Sequence, residues 1–145
     1  MKTSRLLLAL ALIGLFSASL RAEDSWTTDY AAAKADAAKS GKKLLLNFTG
    51  SDWCIYCKKL DAEVLSTPAF KSFSKDYILV YVDFPDAKVL PATEKAQNDV
   101  LKDQFKIEGF PTLIVTDASG TEIRRAVGYS PGSGPSAYLA QLAPH

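Results

Sequence analysis

Cys54 and Cys57 are the only cysteines of the 145-residue chain, and they stand as Cys54-Ile55-Tyr56-Cys57. Two thiols at this spacing suit thiol–disulfide exchange, in which one attacks as thiolate and the other displaces the mixed disulfide that forms. As a structural staple the pair is a poor device, because so small a loop removes little entropy from the unfolded chain. Haem attachment asks for histidine directly after the second cysteine, and Lys58 stands there. Structural zinc needs about four ligands. The chain adds only His145, its last residue, so zinc would require a second chain. The pair is read as a redox dithiol, with an inert bridge and a shared metal as the alternatives.

The elements around the pair must place its two sulfurs differently. Cys57, Leu60, Val64 and Leu65 recur at i, i+3, i+7 and i+8, so a helix begins near Cys54 and turns Cys57 toward the core. Cys54 then lies at the helix start, where unpaired N–H groups lower a thiol pKa into a range of about 3.5 to 7.5. The apolar run 44–48, bounded by Gly41 and by Gly50-Ser51-Asp52, predicts a strand buried on both faces. Before it, Thr27 or Thr28 caps a helix with Tyr30, Ala33, Ala37 and Ala38 on one face, and Gly41 stops it.

Beyond the pair, Thr67-Pro68 starts a short helix with Phe70 and Phe73 inward. Residues 77–82 form a second buried strand, reached by a right-handed crossover and therefore parallel to the first. After a loop at 85–91, a helix over 92–105 turns Ala96, Val100, Leu101 and Phe105 inward. Gly109-Phe110-Pro111 breaks the chain. Residues 112–116 and 122–127 make a hairpin whose more polar second strand lies at an edge. A turn over 128–135 leads to a last helix presenting Tyr138, Leu139 and Leu142. The fold class is α/β, a central mixed sheet of about four strands flanked by helices on both faces.

Composition agrees with one globular domain, at 48% hydrophobic and 23% charged. A net charge of +1 without a basic block lacks the footprint of a nucleic-acid binder. Lys2 and Arg5 precede an apolar run at 6–16 and then Ser17-Ala18-Ser19, with Leu20-Arg21-Ala22 as a cleavage site. Residues 1–22 therefore read as a secretory signal peptide and 23–145 as the domain. The apolar run is too short to span a bilayer, which takes about 20 residues, and it holds no cysteine for lipid attachment. Without residues 1–22 the net charge becomes −2. The expectation is a periplasmic or secreted protein with no stable membrane insertion after signal removal, in surroundings that favour disulfides.

Residues 48–59, Phe-Thr-Gly-Ser-Asp-Trp-Cys-Ile-Tyr-Cys-Lys-Lys, resemble the active-site segment of the thioredoxin superfamily, and Gly109-Phe110-Pro111-Thr112 is similar to its cis-proline loop. The likeness spans about residues 43–142. The Trp-Cys-x-x-Cys-Lys-Lys pattern is similar to exported bacterial thioredoxin-like proteins related to the thiol-carrying domains of periplasmic electron relays. The resemblance implies a thioredoxin fold, exchange with the thiols and disulfides of proteins, and no cofactor. It makes Cys54 the nucleophile, Cys57 the resolving thiol, and Trp53, Phe110 and Pro111 the substrate-binding surface. A cis bond at Pro111 aims the Phe110 backbone at an extended substrate.

One position departs from the family pattern. Asn47 stands one residue away from the place of a buried aspartate that accepts a proton, and an amide cannot do so. Asn47 is expected to lie buried near Cys57, leaving Glu63, Asp52 or water to take that proton. Lys58 and Lys59 either favour the thiolate or are merely solvated. Ile55-Tyr56 matches neither the Gly-Pro of cytosolic reductases nor the Pro-His of strong periplasmic oxidants. The reading leans toward a reductant or electron carrier recycled by a membrane redox donor. The competing class is a non-catalytic module that holds a peptide or partner on the same scaffold.

Overall fold

The structure, a computed structural model, describes residues 26–143. The signal peptide read at 1–22 and His145 lie outside the described residues. Helix α1 (Tyr30–Ser40) starts on Asp29, whose carboxylate accepts the Ala32 N–H, and ends at Gly41 with φ 72°. The left-handed turn at Gly41 carries no Cβ penalty there. The cap expected at Thr27 or Thr28 is thus displaced. Thr27 is committed to the sheet, donating its N–H to Leu79 and accepting from Tyr81.

Strand β1 (Lys43–Thr49) is central, with β2 (Tyr77–Asp83) parallel on one side and β3 (Thr112–Thr116) antiparallel on the other; β4 (Glu122–Val127) closes the order β2-β1-β3-β4. Its alternating side chains feed two cores. Leu44, Leu46 and Phe48 pack with Val80, Val82 and Ile114 under Ala33 and Ala37 of α1 and Leu101 of α4 (Ala92–Gln104). Leu45 packs with Leu79, Leu113 and Val115 under Leu60 of α2 (Ile55–Leu60), Phe70 of α3 (Pro68–Phe73), and Tyr138 and Leu139 of α5 (Gly134–Leu139). Truncating one such fully buried leucine to alanine costs about 2–5 kcal/mol.

Two helix faces are rotated from expectation. Ala38 is exposed, and so are Ala96 and Val100, the latter by 64%. On α4 the inward position belongs to Asn98, 1% exposed, whose amide donates to the Asp83 carbonyl at 2.9 Å, while Gln97 accepts the Tyr30 N–H and donates to the Thr28 carbonyl. Hydrogen bonds at the start of α1 and the end of β2 thus outrank the burial of two small apolar side chains. The helix begun at the cysteines also changes character, since α2 passes into a π-turn, Asp61–Leu65, where the Ser66 N–H reaches back to the Asp61 carbonyl. The β4 edge is exposed over most of its length, as its polarity predicts.

Candidate active site

Cys54 occupies the cap position of α2 in extended conformation (φ −78°, ψ 105°), one residue before the helix proper. Its N–H donates to the Gly50 carbonyl, its carbonyl accepts from Lys58, and its Sγ accepts the Cys57 N–H at 3.2 Å. Cys54 and Cys57 are joined by a disulfide, with Cα atoms 5.2 Å apart. Each is 5% exposed, so exposure does not separate the two sulfurs in this oxidised form. Position separates them, because among the described residues a backbone donor is aimed at the sulfur of Cys54 and none at that of Cys57.

Trp53 is half exposed and fixed from three sides. Its Nε1 donates to the Phe84 carbonyl at 2.8 Å, its ring meets the Phe110 ring edge-on at 5.8 Å, and Gly50 lies beneath the indole where a Cβ would collide with it. The Phe110–Pro111 bond is cis, and the Pro111 carbonyl accepts the Gly128 N–H at 2.8 Å. Phe84 packs on Phe110 at 5.3 Å, and the Lys102 ammonium sits 5.6 and 5.9 Å from these two ring centres. The structure thereby brings Trp53, Phe110 and the cysteine loop to one surface, with Phe84 and Lys102 as additional members. Phe84 falls between the strand read at 77–82 and the loop read at 85–91, where no periodic signal marks it.

The carboxylates proposed as proton acceptors are engaged elsewhere. Asp52 accepts the backbone N–H groups of Asp86, Ala87 and Lys88 at 2.9, 2.8 and 3.1 Å. These bonds, the one from Asp86 foremost, hold its carboxyl below the ordinary range. Glu63 accepts from the Tyr129 hydroxyl at 2.6 Å and the Gly132 N–H at 2.7 Å, and the tyrosine chiefly lowers its pKa. A carboxylate stabilised in its charged form is a weaker base. Asp52 and Glu63 are therefore clasps that tie the cysteine segment to loop 85–91 and to the stretch around Tyr129 and Gly132. Lys58 donates to the Asp52 carbonyl at 2.8 Å, and Lys59 lies 4.0 Å from Glu63, so both lysines have local partners.

Asn47 is 3% exposed and shares the face of β1 that Leu45 turns toward α2; its Oδ1 has no hydrogen-bond partner among the described residues. On the same face Asp83, 2% exposed, accepts both the N–H (3.0 Å) and the hydroxyl (2.6 Å) of Ser51. Burial, then the charges of Asp83 and Asp61, pushes the Tyr81 phenol up, against hydrogen bonds with Thr49 and Ser51. The Ser51–Asp83 pair escapes sequence reasoning, whose one signal is an acidic residue closing an apolar strand. Among the described residues no cluster of three or more His, Cys, Asp or Glu is placed to hold a metal ion, and no helix is long and apolar enough to cross a membrane.

A four-stranded mixed sheet between two helical layers, carrying a Cys-x-x-Cys disulfide at a helix start, defines a thiol–disulfide oxidoreductase of the thioredoxin superfamily. The thioredoxin-like domain family matches residues 30–143, and the chain belongs to it. It is 38% identical over 114 residues to the disulfide bond reductase DsbH of Chlamydia pneumoniae, covering 78% of this chain and 68% of that one. It is 35% identical over 123 residues to the thioredoxin-related protein DsbJ of the same organism, covering 83% of this chain and 35% of that protein. A solved DsbH oxidoreductase structure superposes with a TM-score of 0.75 at 33% identity, covering 97% of this chain and 92% of the other.

Proposed function

We propose that the chain is an exported, periplasmic or secreted, reductant or electron carrier that acts on protein disulfides through Cys54 and Cys57. In the reduced protein the Cys54 thiolate attacks one sulfur of a substrate disulfide; that S–S bond breaks, and the departing thiolate takes a proton. Cys57 then attacks Cys54 Sγ, releasing the second substrate thiol and forming the Cys54–Cys57 bond. Two electrons have passed to the substrate, and a membrane dithiol donor returns two to the pair.

The observation that carries exchange with Cys54 as the attacking sulfur is the Cys57 N–H aimed at Cys54 Sγ at 3.2 Å, a donor that stabilises a thiolate at that position. Trp53 and the half-buried Phe110 form the surface on which an extended substrate segment lies, with Pro111, buried and next in the chain, setting the Phe110 backbone as its pairing edge. The reductive direction draws support from the relative named as a disulfide bond reductase. The test is the redox potential of the couple, measured by equilibration against glutathione. Potentials of such pairs run from about −270 to −120 mV. A value in the lower half of that range is expected, and one near its upper end would overturn the reductive reading.

A further inference from the structure

Loop 85–91 and the first half of α4 enclose a cavity of about 390 Å³ beside the dithiol surface. Phe84, Pro85, Val89 and Leu90 supply its apolar walls, and Lys88 stands on its rim. Val89 is 91% exposed, an apolar side chain held at the mouth with nothing described against it. The floor is polar but satisfied, since the Asn98 amide donates to the Asp83 carbonyl. A cavity of this size falls within the range of about 300–1,000 Å³ typical of binding pockets.

The cavity adjoins the cysteine surface through Phe84. Phe84 is one of its walls, takes the Trp53 indole N–H on its carbonyl and packs its ring on Phe110. Asp52, two residues before Cys54, holds the main chain of the loop by three N–H groups. Phe84 is thus shared by the Trp53–Phe110 surface and the cavity wall, which places the cavity beside a segment lying across that surface. Asp83 and Asp99 of the lining are engaged, by Ser51 and by Lys95 at 2.7 Å, whereas among the described residues no carboxylate pairs with the side chain of Lys88 on the rim or of Lys102, which rests over the Phe84 and Phe110 rings, so the charge left unanswered by a carboxylate is positive.

We infer that this cavity is a specificity pocket for the polypeptide whose disulfide exchanges at Cys54, taking an apolar side chain from a segment that carries an acidic residue next to it. The apolar side chain fills the space between Phe84, Val89 and Leu90, and the carboxylate meets Lys102 and Lys88. The inference rests on the reading of Cys54–Cys57 as an exchanging dithiol.

The probes are short peptides with one cysteine held as its mixed disulfide with thionitrobenzoate. Leu or Ser is set at each of four positions on either side of that cysteine, and Asp or Lys adjoins it. The reduced protein breaks the peptide–thionitrobenzoate bond, releases the coloured thiolate and the peptide thiol, and forms its own disulfide. Ellman's reagent is the small reference disulfide, and every rate is taken as a ratio to it. At one register the Leu/Asp peptide should react about tenfold faster than the Ser/Lys peptide, as burial of one leucine side chain supports. Val89→Asp, at an exposed position, should bring the Leu preference close to one, and Lys102→Glu should reverse the charge preference. Equal ratios for all peptides, or preferences that survive both substitutions, would overturn the pocket. Failure of the reduced parent protein to consume Ellman's reagent would overturn the dithiol reading, and the pocket with it.

Discussion

Gly50→Ala tests whether the Trp53 platform is set by contact geometry. Gly50 does not use a left-handed φ, so alanine adds no backbone strain and the effect is purely steric. The added Cβ falls on the indole, among the Cε2, Cζ2 and Nε1 atoms, and the ring must swing away. Doing so breaks the hydrogen bond to the Phe84 carbonyl, worth about 0.5–1.5 kcal/mol. It also breaks the edge-on contact with Phe110, worth a further 0.5–1.5 kcal/mol or so. The expected loss is about 1–3 kcal/mol, which lowers Tm by roughly 4 °C per kcal/mol for a domain of this size. Thermal melts and Trp53 emission, both in a Trp26→Phe background, read the two effects together. Unchanged melting and unchanged emission would refute the claim that Gly50 seats the indole.

Cys54→Ser should abolish exchange, whereas Cys57→Ser should accumulate mixed disulfides; faster alkylation of Cys57 than of Cys54 in the reduced protein would reverse the assignment. Asn47→Asp puts a carboxyl in a buried site whose amide oxygen lacks a partner, and burial raises its pKa toward a useful range for accepting the Cys57 proton. Mixed-disulfide decay should quicken at neutral pH while melting falls, and a decay rate flat from pH 6 to 9 would refute that role. The depressed pKa values of Asp52 and Glu63 mean that both carboxylates contribute stability in full above the ordinary carboxylate range, about pH 4 to 4.5. That contribution is lost as pH falls through their lowered values. Glu63→Gln should flatten the acid limb of a melting profile, and an unchanged limb would show the clasp to be idle.

Apolar periodicity carries the buried strands β1, β2 and β3, the hairpin from β3 to the edge strand β4, and the helix begun at Cys54, because their burial is decided by side chains whose only requirement is to leave water. It fails where polar groups compete for the interior. On α4 Asn98 takes the buried place that the pattern assigns to Ala96 and Val100, since a hydrogen bond to a strand-end carbonyl 15 residues away has no periodic signature. The site divides in the same way. The cysteines, Trp53, Phe110 and Pro111 stand in local motifs, whereas the partners of Asp52 and Glu63 lie 34 to 36 and 66 to 69 residues along the chain. Each carboxylate is legible as an acid, but its engagement is a property of the fold.

The two clasps stand on opposite flanks of the redox helix. Asp52 ties its entry to loop 85–91, and Glu63 ties its exit to the stretch around Tyr129 and Gly132. The stretch between these anchors is pinned like a beam at both ends, so a two-electron change at its middle is expected to alter one sulfur–sulfur bond and leave the supports in place. Turnover then carries a small reorganisation cost, and a crystal of the oxidised protein is expected to keep its lattice when reductant is diffused into it.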